Sequence, residues 1–143
     1  MPLVTETTQN CQGILQVGTG TVTGEEFVRA SYNALLLFQN TQNFQYEFVD
    51  LSNATDLQFA EEHLMQITAQ DRVIAKFRPH AIVVVVAPRE EFYQLAKHWE
   101  RAVEELGLST HVARERPQAL GWLQRHLHSR GESDAGAGSA FGE

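Results

Sequence analysis

The chain has one cysteine in 143 residues, Cys11, and a single thiol cannot close an internal disulfide. With no cation beside it in sequence, Cys11 is expected to be a buried, unreactive thiol. No block of Lys or Arg occurs either. The 11 basic residues face 18 acidic ones, for a formal net charge of -7. A surface of that sign repels duplex phosphates and anionic membranes, so nucleic acid is not an expected partner. No apolar run approaches the ~20 residues that a membrane helix needs, which argues against membrane insertion. The polar segment Met1 to Asn10 lacks the charged and apolar halves of a signal peptide, so the expected location is cytoplasmic.

What the sequence does have is the run Ala81-Ile82-Val83-Val84-Val85-Val86-Ala87-Pro88, set between two stretches with helical patterning. A strand that is apolar at every position has both faces covered, as an inner strand flanked by helices does. Upstream, Ile14, Leu15 and Val17 form a short strand that Gly18 and Gly20 are expected to break. A helix then starts at Thr23, where Thr23 and Glu26 have the spacing of a capping box, and Phe27, Ser31, Ala34, Leu35 and Phe38 form its inward stripe. Phe44 to Leu51 reads as a second strand, with Ser52 to Asp56 as the loop after it. The next helix runs from about Leu57 to Phe77, and Asp71 on its apolar stripe predicts a break or a new N-cap there. After the valine run, a helix buries Phe92, Ala96, Trp99, Val103 and Leu106 and stops at Gly107. Leu108 to Arg114 is a strand, and Pro117 suits the first turn of a last helix carrying Leu120, Leu123 and Leu127. This alternation predicts an α/β fold: a four- to five-stranded, mainly parallel (mixed) sheet with helices packed on its faces. The expected organisation is a flexible segment over 1–10 that forms at most an edge strand, one domain over 11–128, and a disordered acidic Gly/Ala/Ser tail over 129–143.

Few residues suggest chemistry. Gly18-Thr19-Gly20 resembles a phosphate-cradling turn, but Thr23 holds the position of the third glycine that a dinucleotide fingerprint needs. The pairs Glu25-Glu26, Glu61-Glu62, Glu90-Glu91 and Glu104-Glu105 are adjacent in sequence and diverge by ~100° on a helix, so they form no paired-carboxylate site. No two of the six histidines stand at i, i+4. No catalytic residue, metal ligand or cofactor site is assigned, and the chain is not expected to be an enzyme. If the strands are parallel, Asp50, Ser52, Asn53, Arg89, Arg114 and Arg116 gather at one carboxyl edge, where open α/β sheets bind ligands and partners.

Four segments together are similar to STAS-like proteins, the SpoIIAA-like superfamily of bacterial anti-sigma-factor antagonists and their small relatives, which have also been compared with Sec14-type lipid-binding folds. They are Gly20-Thr21-Val22-Thr23-Gly24-Glu25-Glu26, Phe48-Val49-Asp50-Leu51-Ser52, Ala81 to Pro88, and Ala119-Leu120-Gly121-Trp122-Leu123. The resemblance spans about Gly13 to Leu127 and implies a STAS-like fold that acts through protein contacts. In the family, a serine at the start of the second helix is a phosphorylation switch. Here Asp56 is followed by Leu57, Gln58 and Phe59, and Thr55 is the nearest hydroxyl, so no phosphoserine switch is expected.

The expectation is therefore a non-catalytic interaction or regulatory domain that binds a protein partner or a second copy of itself as a homodimer. The partner surface would comprise Asp50, Ser52, Asn53, Thr55, Asp56, Arg89, Tyr93 and Arg114. The alternative is a small hydrophobic-ligand or lipid carrier with Phe59, Phe77, Phe92, Tyr93 and Trp99 lining an apolar cleft between helices and sheet. An enclosed apolar cavity favours the carrier, and a shallow polar face favours docking.

Overall fold

The computed structural model describes residues 2–130. Ten elements follow in chain order: β1 (Leu3–Thr7), β2 (Gly13–Thr23), α1 (Gly24–Asn40), β3 (Tyr46–Gln58), α2 (Glu61–Phe77), β4 (Ile82–Val86), α3 (Glu90–Val103), a 3₁₀ turn (Glu104–Leu106), β5 (Ser109–Ala113) and α4 (Arg116–Ser129). The strands lie in the sheet in sequence order, with β2 to β5 parallel and β1 antiparallel to β2. Right-handed crossovers between successive neighbours that always step the same way place their helices on one face. Accordingly α1, α2 and α3 share a face, and α4 returns from the last strand to cover the other.

Strand β4 is shielded on both sides, as its composition required. Ile82, Val84 and Val86 meet Leu120, Leu123 and Leu127 of α4, while Val83 and Val85 face Phe92, Ala96 and Trp99 of α3. All five strand residues are buried, and each contributes about 1.5–3 kcal/mol of apolar transfer. The Thr23 and Glu26 capping box is formed at the start of α1, with Glu26 N–H donating to Thr23 Oγ1 and Thr23 N–H to Glu26 Oε1. Gly107 ends the third helical segment at φ +88°, a left-handed position suited to glycine.

Several expectations need correction. Gly18 and Gly20 do not break the first long strand, because β2 runs on to Thr23 and absorbs them through register shifts after Val17 and Gly20. Gly20 supplies the left-handed φ of +62° that such an irregularity uses. The Gly18-Thr19-Gly20 segment is therefore strand backbone and not a phosphate-cradling turn. Ser52 to Asp56 is likewise not a loop: β3 continues to Gln58, held by its ladder to β2. The second long helix starts at Glu61, later than read, and passes through Asp71 without a break. Of the two forms expected for the first ten residues, a flexible segment or at most an edge strand, the chain takes the edge strand, β1. Cys11 is exposed and not buried, at φ +57° in the turn from β1 to β2. The tail expected over 129–143 lies, from residue 131 on, outside the described residues.

Candidate functional site: a cavity holding two buried carboxyls

The pleat sends alternate residues of each strand to opposite faces. In β3, Tyr46 and Phe48 point to α4, while Glu47, Val49 and Leu51 point to α1, α2 and α3. In β2 the same rule turns Gln16 toward α1, opposite Val49 in the ladder. Because both faces of this sheet are covered, the polar residues that alternate with the apolar ones have no solvent to face. Gln16 and Glu47 are only 1% and 6% exposed.

Between the sheet and the three helices lies a cavity of about 90 Å³. Its wall is apolar for the most part, with Phe92, Leu95 and Ala96 from α3, Leu64 and Ile67 from α2, and Val83 and Val85 from β4. Phe27, in the first turns of α1, and Phe59, in the link from β3 to α2, meet edge to face with ring centroids 5.8 Å apart. Five side chains bring polar atoms to this wall: Gln16, Ser31, Glu47, Asp71 and Trp99.

Two hydrogen-bonded chains hold the carboxyls in place. Asn33 Nδ2 donates to Thr5 Oγ1 (3.0 Å), Thr5 Oγ1 to Gln16 Oε1 (2.7 Å), and Gln16 Nε2 to both the Ala30 carbonyl (2.9 Å) and Glu47 Oε2 (3.2 Å). From the other side, Trp99 Nε1 donates to Asp71 Oδ2 at 2.8 Å. Among the described residues Glu47 Oε1 and Asp71 Oδ1 take no hydrogen bond. The Ser31 hydroxyl is buried, and among the described residues it has no partner. Burial pushes the Glu47 carboxyl up to about 8, helped by the Asp71 charge and opposed by the Gln16 hydrogen bond. Burial also pushes Asp71 up to about 6, against the lowering effect of Trp99. Near neutral pH the pair therefore shares one proton and one negative charge, and Glu47, the more strongly raised of the two, is the favoured holder of the proton.

Asp71 thus explains its place on an apolar stripe. It is no cap or break, but an acid turned inward onto an indole. Glu47 carried no signal of its own, since a Glu alternating with aromatics in a strand reads as solvent-facing until the second face is known to be covered. Of the aromatics expected to line a cleft, Phe59, Phe92 and Trp99 do so. Phe77 is instead 49% exposed at the end of α2, and Tyr93 turns to the surface under the Arg114 guanidinium, 3.8 Å from its ring centroid.

The carboxyl edge of the sheet does gather charged residues, as paired surface groups. Arg116 Nε lies 3.6 Å from Asp50 Oδ2, Asp50 Oδ1 accepts from the Ser52 N–H, and Arg114 bonds Glu90 at 3.1 Å. Ser52, Asn53, Thr55 and Asp56 project from the strand extension beyond this edge, and Thr55 Oγ1 donates to Asp56 Oδ2. Arg89 is exposed at the N-cap of α3. His63 has a local role at the head of α2, where its Nδ1 accepts from the Ala60 N–H (3.0 Å).

This architecture has a counterpart among solved structures. A crystal structure of an uncharacterised protein of the DUF3478 family from Shewanella loihica PV-4, with a SpoIIAA-like fold, superposes with a TM-score of 0.53, covering 85% of this chain and 91% of that one. The fold is SpoIIAA-like. The two sequences are 13% identical, so the likeness extends to the fold and no further. No protein-family model and no curated protein matches the sequence. The SpoIIAA-like fold agrees with the resemblance carried by the four segments quoted above. No helix among the described residues is long and apolar enough to cross a membrane.

Proposed function

We propose that this SpoIIAA-like chain is a non-catalytic binding domain whose ligand is a small molecule held in the cavity beneath α1, α2 and α3. The observation that carries this reading is the cavity itself, an apolar chamber with hydrogen-bonding groups converging on it, the pattern of small-molecule sites. A volume of about 90 Å³ suits a compact ligand. It is smaller than the ~150 Å³ of a dry engineered cavity that admits benzene, so a lipid chain does not fit without parting the helices. A well-packed core leaves few voids larger than a water molecule, and this void is lined by four polar side chains less than a tenth exposed, Gln16, Ser31, Glu47 and Asp71.

The test is a fragment screen read by two-dimensional NMR. The two tryptophans give two indole N–H signals. Trp99 lines the cavity, while Trp122 stacks between His111 and His126 on the opposite face of the sheet and serves as an internal control. Saturable shifts at Trp99 and not at Trp122 are the expected result. A library of compact polar and apolar fragments that leaves Trp99 unmoved at millimolar concentration would refute the reading.

One observation favours a second reading, docking of a protein partner or a second copy of the chain. Strand β4 pairs with β3 only as far as Asp50, whereas β3 continues for eight more residues to Gln58. The β4-side edge of that extension is a template for strand addition, and Ser52, Asn53, Thr55 and Asp56 lie along it. Substituting proline for Asn53 or Thr55 and following self-association by sedimentation tests a homodimer of this kind.

A further inference from the structure

The cavity wall is one-sided in charge. Strand β3 contributes Glu47 and α2 contributes Asp71, while β1, β2, α1, β4 and α3 contribute no titratable group, and among the described residues no Lys, Arg or His lines the chamber. Two carboxyls buried together with no cation are costly, because transferring an ionised carboxylate from water is unfavourable unless it is paired. The free protein limits the cost by keeping a proton on one of them. That leaves three oxygens at the wall unengaged among the described residues: Asp71 Oδ1, an acceptor, Glu47 Oε1, which becomes an acceptor once its proton leaves, and the Ser31 hydroxyl, whose lone pairs accept, beside a chamber otherwise lined by Phe92, Leu64 and Val83.

We infer that the ligand is a small organic cation, a protonated amine on a short alkyl body, whose ammonium group sits between Glu47 and Asp71. This rests on the small-molecule reading above and specifies its chemistry. An ammonium group has three donors and no acceptor, which complements a site with acceptors to spare. The body of the ligand fills the apolar part of the chamber against Phe92, Leu95 and Ala96. A neutral alcohol of the same size would fill the space without compensating the Asp71 charge. A carboxylate would add a third acid and be rejected.

Binding has a proton balance that can be measured. The amine enters in its protonated form, its positive charge favours ionisation of Glu47, and the Glu47 proton passes to the buffer. Close to one proton is therefore released per amine bound at pH 7. Affinity rises with pH toward about 8, as the free protein comes to hold Glu47 ionised.

The experiment titrates the full chain with methyl-, ethyl-, propyl- and butylammonium and with the matching alcohols, by calorimetry in two buffers of different ionisation enthalpy and by the Trp99 indole signal. The expected result is saturable amine binding at Trp99, at least tenfold tighter than the alcohol of equal length, with buffer-dependent heat reporting the released proton. Glu47→Gln and Asp71→Asn should each weaken amine binding at least tenfold and leave alcohol binding within twofold. Both variants replace a buried carboxyl by an amide of nearly the same shape, and thermal unfolding verifies that each is folded. Equal binding of alcohols and amines, or amine binding without proton release, overturns the cation proposal while the small-molecule reading stands. Silence from both series at Trp99 overturns the two together.

Discussion

Replacing Glu47 by Gln removes one ionisable group from the core and should make the protein more stable, by an amount that depends on pH in a defined way. In the unfolded chain the Glu47 carboxyl titrates near 4.5, and in the folded chain burial holds it up to about 8. Below about pH 4.5 both states carry the proton, and Glu47 adds no pH dependence. Between about 4.5 and 8 the unfolded chain has released the proton and the folded chain has not, so raising the pH draws the equilibrium toward unfolding. The loss is about 1.4 kcal/mol per pH unit across that window, which amounts to something on the order of 3 kcal/mol at neutral pH and levels off above pH 8. Gln has no such proton to lose, and its amide oxygen can still accept from Gln16 Nε2, the donor that now serves Glu47 Oε2. The assay is urea unfolding of wild type and Glu47→Gln at pH 4, 6 and 8. The expected stabilisation is small at pH 4 and grows to a few kcal/mol at pH 8. A difference that does not change with pH, or a variant less stable than wild type at pH 8, would show that burial does not hold the Glu47 carboxyl above its unfolded value and refute the reasoning.

Other substitutions probe neighbouring parts of the structure. Trp99→Phe removes the indole donor that bonds Asp71 at 2.8 Å. It should cost about 1.5–3 kcal/mol at pH 7 for the lost bond to a charged group, a cost that shrinks as the pH falls through about 6 and Asp71 takes up its proton in the folded state. Gly24→Ala places a Cβ about 2.0 Å from His63 Nδ1, the atom that caps α2, and should destabilise by about 1–3 kcal/mol on thermal unfolding. Gly20→Ala meets nothing within 4 Å, so its cost is limited to the left-handed backbone at φ +62°, about 1–2 kcal/mol. A thiol reagent should label Cys11 to completion in native protein without denaturant, because that residue is exposed. Labelling that required unfolding would place the thiol inside.

Much of the framework was legible because its signals are local or saturate a whole segment. The valine run, apolar at every position, read as a strand covered on both faces, and Ile82–Val86 is that strand. The capping box at Thr23 and Glu26 and the stop at Gly107 depend on neighbours within a turn, and the structure forms both. The stripes Phe92, Ala96, Trp99, Val103 and Leu120, Leu123, Leu127 come from a period of 3.6 and are buried as read. These features depend on side-chain periodicity and short-range hydrogen bonds, which the order of residues carries in full.

The rest was decided by contacts between residues far apart in the chain. Strand β3 runs past Leu51 because β2 lies beside it, a pairing that no pattern within 51–58 announces. Gly18 and Gly20, which read locally as a stop, are absorbed by a bulged ladder in which Thr19 pairs with Asn53 and Gly20 with Ala54. The cavity and its acids are the strongest case. Glu47 lies in β3 and Asp71 in α2, and they influence each other only because the crossover from β3 to α2 lays that helix over the same sheet face. Amino-acid order determined where the four helices and the middles of the inner strands would lie, since that is governed by apolar spacing and end caps, while the long extensions of β2 and β3 were not in it. Whether an alternating polar side chain meets water or the interior was a matter for tertiary structure, because solvent access depends on what is packed against a surface and not on the residue alone.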